Sequence, residues 1–187
     1  MVFAWLALSL LAGGVQKGPL AVGDPAPRFE VVTSEGQSSG TDLDGQVVVV
    51  DFFATWCGPC HRALRDLIAV RETLGPRVRF VLVDVAEPPQ TVKEFLAKNP
   101  LPGGAHVTID VSGEVMRSWG ARSFPTTFLV DRAGVVRHIN RGWGEGYRTR
   151  LLGWLRPMLA EQPVARRPSR GAGRHALIVT RTRRPRR

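Results

Sequence analysis

The sequence predicts a mixed α/β protein, one sheet covered by helices, and three observations predict it. The run Val47-Val48-Val49-Val50-Asp51-Phe52-Phe53 has the length of a buried strand, and Cys57-Gly58-Pro59-Cys60 and a helix-like segment follow it. A second apolar run, Val78 to Val85, comes next, as expected of a parallel strand pair joined by a helix. Near the end, Thr127 to Val130 and Val135 to Asn140 flank Asp131-Arg132-Ala133-Gly134, a hairpin signal.

The elements follow in order. Residues 17 to 28 form a Gly/Pro-rich lead-in, Phe29 to Thr33 a short strand, and Ser34 to Gln37 a turn. Asp42 to Gln46 turns the chain into the central strand at 47 to 53. From Cys60 to Arg71 the spacing of Ala63, Leu64, Leu67 and Ile68 predicts a helix, which Gly75-Pro76 ends. After the strand at 78 to 85, Pro88-Pro89 opens a helix over Gln90 to Lys98, with Val92, Phe95 and Leu96 inward. Asn99 to Gly104 breaks it. Val107 to Asp110 is a short strand and Ser112 to Trp119 a short helix. The last helix, Tyr147 to Leu159, is amphipathic through Leu151, Leu152, Trp154, Leu155 and Met158. The resulting order, β, β, α, β, α, β, α, β, β, α, describes a mixed sheet flanked by helices.

The chain has 187 residues, enough for one domain with appendages, and residues 22 to 160 suffice for an ordinary apolar core. Two cysteines cannot build a disulfide framework, so the fold must stand on that core. The net charge of +10 is concentrated in the stretch 161–187, where nine arginines and Pro/Gly composition predict a disordered tail. The rest of the chain is close to neutral. No aromatic residue interleaves with those arginines, so base stacking has no platform and no nucleic-acid partner is expected. Residues 1 to 16 hold an apolar run of signal-peptide length, short for a membrane span and without a preceding Lys or Arg. They are expected to be a signal peptide or an N-terminal anchor, placing the protein in a periplasmic or other extracytoplasmic compartment. A cytoplasmic location is the alternative.

The chemistry centres on Cys57 and Cys60. A thiol at the start of a helix meets free N–H groups and the positive end of the helix dipole, which favour the thiolate. Cys57 is therefore the expected nucleophile: it attacks a substrate disulfide, and Cys60 resolves the mixed disulfide. Gly58-Pro59 keeps the turn tight, and proline suits a first helical position. A structural disulfide across two residues would close a tiny loop and stabilise little. Asp51 lies inside an apolar strand, where a lone carboxylate should have a raised pKa. His61 and Arg62 read first as solvated helix residues, and alternatively as positive charge beside the thiols that lowers the thiolate pKa further.

At these residues the chain resembles the thioredoxin superfamily, and within it the TlpA/ResA-like extracytoplasmic branch. The resemblance rests on Val22 to Phe29, Asp42 to Cys60, Ser123-Phe124-Pro125-Thr126-Thr127-Phe128-Leu129-Val130-Asp131, and Ala133 to Val136 leading to Gly142. It implies a thioredoxin fold with a TlpA-like N-terminal hairpin and an inserted helix and strand near 88 to 112. It further implies a thiol:disulfide oxidoreductase that reduces protein disulfides with no cofactor beyond the redox-active Cys57–Cys60 disulfide. Asp51 would shuttle the proton of the resolving thiol. Pro125 would be a cis-proline that keeps metal off the thiols, and Trp56, Phe124 and Gly142 would line the substrate groove with Gly58 and Pro59. The partners would be a disulfide-containing protein and an upstream dithiol electron donor, membrane-bound or soluble, and the protein would act as a monomer. Two positions depart from the pattern. Ala63 stands where the TlpA/ResA-like branch often has Glu, and Arg65 where thioredoxin commonly has Pro.

Rival readings are weaker. A copper chaperone of the same fold typically uses a three-residue spacing between its cysteines and a distant histidine, whereas here the spacing is two. His106 and His138 are read as ordinary strand residues, and no metal site is expected. A peroxidase of the same fold would want a lone cysteine in a Pro/Thr loop, which is absent. A disulfide-forming oxidant remains an alternative, because the motif alone does not set the redox direction.

Overall fold

The computed structural model describes residues 19–32, 38–40, 45–101 and 105–161. The leader or anchor at 1–16, the turns expected near 34–37 and 42–44, and the Arg-rich tail from 162 onward lie outside the described residues. The elements are β1 Glu30–Val32, β2 Ser38–Gly40, β3 Val47–Phe53, α1 Gly58–Leu74, β4 Val78–Val85, α2 Pro89–Lys98, β5 Ala105–Asp110, α3 Glu114–Ser118, β6 Thr126–Val130, β7 Val136–Arg141 and α4 Tyr147–Ala160, with a 3-10 turn at Gly75–Arg77. β1 and β2 form an antiparallel pair. The other five strands form one sheet in the order β5-β4-β3-β6-β7. β3 runs parallel to β4 and β4 parallel to β5, while β6 is antiparallel to both β3 and β7.

Most elements fall where the periodicity puts them, and the differences lie at their ends. α1 starts before Cys60 because Cys57 caps it and Pro59 fits its first turn, and it runs on to Leu74, where Gly75 at φ 65° ends it. α3 is shorter than expected, opening after Gly113 at φ 71°. β2 carries no apolar pattern (Ser38-Ser39-Gly40), so periodicity does not place it, and an N-terminal hairpin is expected only from the resemblance.

β3 is buried along its whole length, which explains its unbroken apolar run. Its alternation divides the core into two. Val47, Val49 and Phe53 face α1 and α4, packing with Leu67, Val70, Leu151 and Leu155. Val48, Val50 and Phe52 face the other layer with Trp119, Phe128 and Phe29. Trp119 is fully buried there, edge-on to Phe29 at 5.8 Å and to Phe128 at 5.0 Å between ring centroids. Gly120 beside it has φ 63°, and a Cβ there would sit 2.9 Å from the Leu20 nitrogen, so only glycine lets the N-terminal segment close over this face. The β6–β7 hairpin closes through Asp131, whose Oδ1 accepts from the N–H groups of Ala133 and Val135. At the far end, the Arg132 guanidinium donates to the carbonyls of Met158, Leu159 and Glu161, where α4 runs out of internal partners.

Trp119→Ala should cost about 3–5 kcal/mol of unfolding free energy. Urea denaturation checks it, and a loss below about 1 kcal/mol would show that the Trp119 layer does not hold this face of the sheet.

Candidate active site

β3 delivers the chain to the site. After Phe53, Ala54 is buried, Thr55 is half-buried, and Trp56 turns outward. The Cys57 N–H donates to the Ala54 carbonyl at 3.1 Å. Cys57 then takes an extended conformation (φ −83°, ψ 103°) as the N-cap of α1. Its carbonyl accepts from the N–H groups of Cys60 and His61, and its sulfur accepts from the Cys60 N–H at 3.2 Å. The sulfur thus occupies the place where a Ser or Asp oxygen usually caps a helix. The first turn of α1 holds no acidic residue, so nothing within it competes with negative charge on that sulfur.

Cys57 and Cys60 form a disulfide. Attack on a substrate disulfide calls for an accessible Cys57 sulfur. In this oxidised form the residue is 5 % exposed and Cys60 0 %, so Cys57 is the more accessible of the two but not open. The reason is local: its sulfur is bonded to Cys60 and turned towards the Cys60 N–H. Around it, Gly58 and Pro59 are exposed, and Trp56 is 71 % exposed.

The loop before β6 completes the rim. The Phe124–Pro125 peptide bond is cis. Phe124 meets the Trp56 ring edge-on at 5.9 Å, and the Gly142 N–H donates to the Pro125 carbonyl at 2.7 Å. The structure therefore joins Trp56 to Phe124 and Pro125 to Gly142. His61 and Arg62 do not behave as free charges. His61 Nε2 lies 2.6 Å from the Thr55 carbonyl and its ring lies beside Phe95. The Arg62 guanidinium lies over the Trp143 ring, 4.7 Å from its centre, while the Trp143 indole N–H donates to Asp66. Trp143 and Asp66 do not stand out in the sequence; the Gly142-Trp143-Gly144 run is the available signal.

Asp51 is fully buried on the strand face that α1 covers. Its Oδ1 accepts from the Thr127 hydroxyl at 2.7 Å, and that hydroxyl lies 2.7 Å from the Tyr147 hydroxyl. Its Oδ2 has no hydrogen-bond partner. Burial pushes the carboxyl up to about 7, against a smaller opposing effect of the Thr127 bond. The Tyr147 phenol is raised by burial and then by the nearby Asp51 charge. Thr127 and Tyr147 were read only as strand and helix residues, because their meeting across 20 residues needs the tertiary fold. The same holds for Glu87, whose carboxylate accepts from the Thr55 N–H at 2.5 Å and the Thr55 hydroxyl at 2.6 Å. Burial, and then Arg79, lowers the His106 imidazole; burial, and then Arg137, lowers that of His138, which stacks on Trp154.

A thioredoxin-like sheet that presents a Cys-x-x-Cys pair at a helix N-terminus defines the thioredoxin-fold class of thiol–disulfide proteins. The chain belongs to the AhpC/TSA family, whose pattern matches residues 22–139. It is 34% identical over 131 residues to the thiol-disulfide oxidoreductase ResA of Geobacillus thermodenitrificans, covering 68% of this chain and 73% of that one. Among solved structures it is similar to a Chlorobium tepidum protein assigned as thiol:disulfide interchange protein DsbE, at 29% identity and TM-score 0.68, over 75% of this chain and 99% of that one. A second Chlorobium tepidum thiol:disulfide interchange protein of the thioredoxin family matches at 27% identity and TM-score 0.63, over 74% and 98%.

Asp51 makes stability depend on pH. Its carboxyl holds its proton more tightly folded (about 7) than unfolded (ordinarily 3.8), so its contribution is fully present below the lower value and is lost as pH rises through the upper one. Asp51→Asn keeps an acceptor for Thr127 and removes the ionisation. Its stability relative to the natural chain should therefore rise between about pH 4 and about pH 8, read by thermal melts across that range. A pH-independent difference would show that Asp51 does not titrate there.

Proposed function

We propose that this chain reduces protein disulfides through Cys57 and Cys60. The Cys57 thiolate attacks one sulfur of a substrate disulfide; a Cys57–substrate disulfide forms and the other substrate sulfur leaves as a thiolate. Cys60 gives its proton to Asp51 and attacks Cys57. The Cys57–Cys60 disulfide forms, and the second substrate sulfur leaves, taking up a proton. The substrate ends two electrons reduced, and a separate dithiol donor must return two electrons to the pair. The observation that carries this reading is the Cys57 sulfur seated as the N-cap of α1, where the helix N–H groups favour its anionic form.

Asp51 suits the proton-accepting role because its carboxyl titrates at about 7 and its Oδ2 is unpartnered. Trp56, Gly58, Pro59, Phe124, Pro125 and Gly142 form the docking rim for an extended substrate segment. Support comes from the exposure of Trp56, its contact with Phe124, and the Gly142–Pro125 bond that fixes the opposite wall. The reaction needs no cofactor beyond the dithiol. The likeness to ResA and to the Chlorobium tepidum interchange proteins favours work outside the cytoplasm, with the segment 1–16 as a leader or anchor. A monomer is sufficient for the mechanism, since both thiols and the acid come from one chain.

Cys60→Ser, reduced and exposed to a disulfide-bonded protein, should accumulate a mixed disulfide at Cys57, visible as a mass adduct released by dithiothreitol. Cys57→Ser should form none. Accumulation on Cys60 in the Cys57→Ser variant, at a rate matching the first, would reverse the assigned roles.

A further inference from the structure

Ala86 is the one non-glycine residue with positive φ (61°) among the described residues. Its peptide is held there, its N–H donating to the Asp110 carbonyl at 3.0 Å. Such a backbone is costly for a residue with a Cβ, and it persists where the surroundings require it. What it achieves lies one residue on. Glu87 precedes Pro88, which restricts it to extended conformations, and its side chain enters the protein rather than solvent. It is 8 % exposed, and both its oxygens engage Thr55, two residues before Cys57.

Thr55 is a junction. Its N–H and hydroxyl donate to Glu87, and its carbonyl faces His61 Nε2 from the first turn of α1. The segment that follows β4 therefore grips the turn that presents Cys57. Beneath the grip lies Asp84, fully buried, with no hydrogen-bond donor for either oxygen. An ionised carboxylate so placed would face heavy desolvation and the Glu87 charge together. Burial first, then Glu87, pushes its carboxyl up to about 8. A neutral Asp84 can instead donate its proton to Glu87, so that one proton serves two carboxyl groups. The other titratable groups around the grip are His61 on α1 and Asp110 at the end of β5, whose carboxylate is turned to the Met116 N–H. The first turn of α2 contributes no acidic residue.

We propose that Glu87 is a positioning residue for Cys57: its two oxygens fix Thr55 and with it the active-site turn. This rests on the reading of Cys57 as the nucleophile. The Glu87 charge then acts against the thiolate, moderating the effect of the α1 N-terminus.

The test is the pH profile of iodoacetamide alkylation of Cys57 in the reduced full chain, followed by mass, with thermal melts confirming folding. Glu87→Gln keeps an acceptor for Thr55 and removes the charge. Its midpoint should fall by about half a pH unit, giving roughly threefold faster alkylation below the midpoint. Asp84→Asn leaves both Glu87–Thr55 bonds in place and, below about pH 8, exchanges one neutral group for another, so alkylation there should keep the wild-type rate. Thr55→Val removes one of the two bonds without touching a charge. It should slow exchange of reduced Cys57 with oxidised glutathione several-fold, and Thr55→Ser should restore the rate. A Glu87→Gln midpoint equal to wild type, an Asp84→Asn midpoint as low as that of Glu87→Gln, or wild-type exchange in Thr55→Val would each overturn the proposal. If Glu87→Gln does not fold, the Asp84 and Thr55 variants still decide it. The wild-type profile tests the nucleophile separately: a midpoint at about 8.5, that of an unactivated thiol, would count against Cys57 rather than Glu87.

Discussion

The first turn of α1, held against the end of β3, is the constraint on which the rest of the site depends. Its N-terminal N–H groups have no carbonyl within the helix to receive them, and the Cys57 sulfur takes one. That one contact ties the reactive atom to the helix dipole, fixes the approach of Cys60 one turn on, and sets Cys57 as the better exposed partner. The turn before it has no regular backbone ladder of its own. Glu87, through Thr55, and His61, through the Thr55 carbonyl, supply what the ladder does not.

The sheet makes that precision possible. β3 is central, buried on both faces and flanked by β4 and β6, so its C-terminal end cannot move without disturbing two layers. Each neighbour contributes one carboxylate environment. On the β6 side, Asp51 is tuned by Thr127 and, beyond it, by Tyr147 at the start of α4. On the β4 side, Asp84 and Glu87 meet at the strand end. Three acids thus lie in or beside the central strands, and two of them are raised by burial towards neutrality. Packing charge-capable groups into such a core lowers stability, and function is the usual reason such groups are kept.

Much of this was legible in the sequence because it is local or periodic. The Val47–Phe53 run and the Cys57-Gly58-Pro59-Cys60 turn state a strand, a cap and a helix within 15 residues, and Asp51 stands out as the one acid in the Val47–Phe53 run. What escaped depends on tertiary contacts. Thr127 joins Asp51 across 76 residues of chain, Tyr147 joins Thr127 across 20, and Glu87 reaches Thr55 across 32. Nothing in Val85-Ala86-Glu87-Pro88 announces that the acid turns inward, because the cause is a left-handed backbone at an alanine, where sequence rules expect glycine. His61 and Arg62 read from sequence as solvated helix residues or as positive charge beside the thiols; neither reading foresees that one is engaged by a carbonyl and the other by an indole face.

The most direct test of the account is the reduction potential of the Cys57–Cys60 pair, measured by equilibration in glutathione buffers followed by alkylation of the free thiols. A dithiol reductant whose thiolate is favoured by a helix N-terminus but opposed by a nearby carboxylate should lie near the thioredoxin value of about −270 mV. A value near about −120 mV would mean that the reduced form is strongly stabilised and that the protein installs disulfides rather than removing them, contradicting the assigned direction.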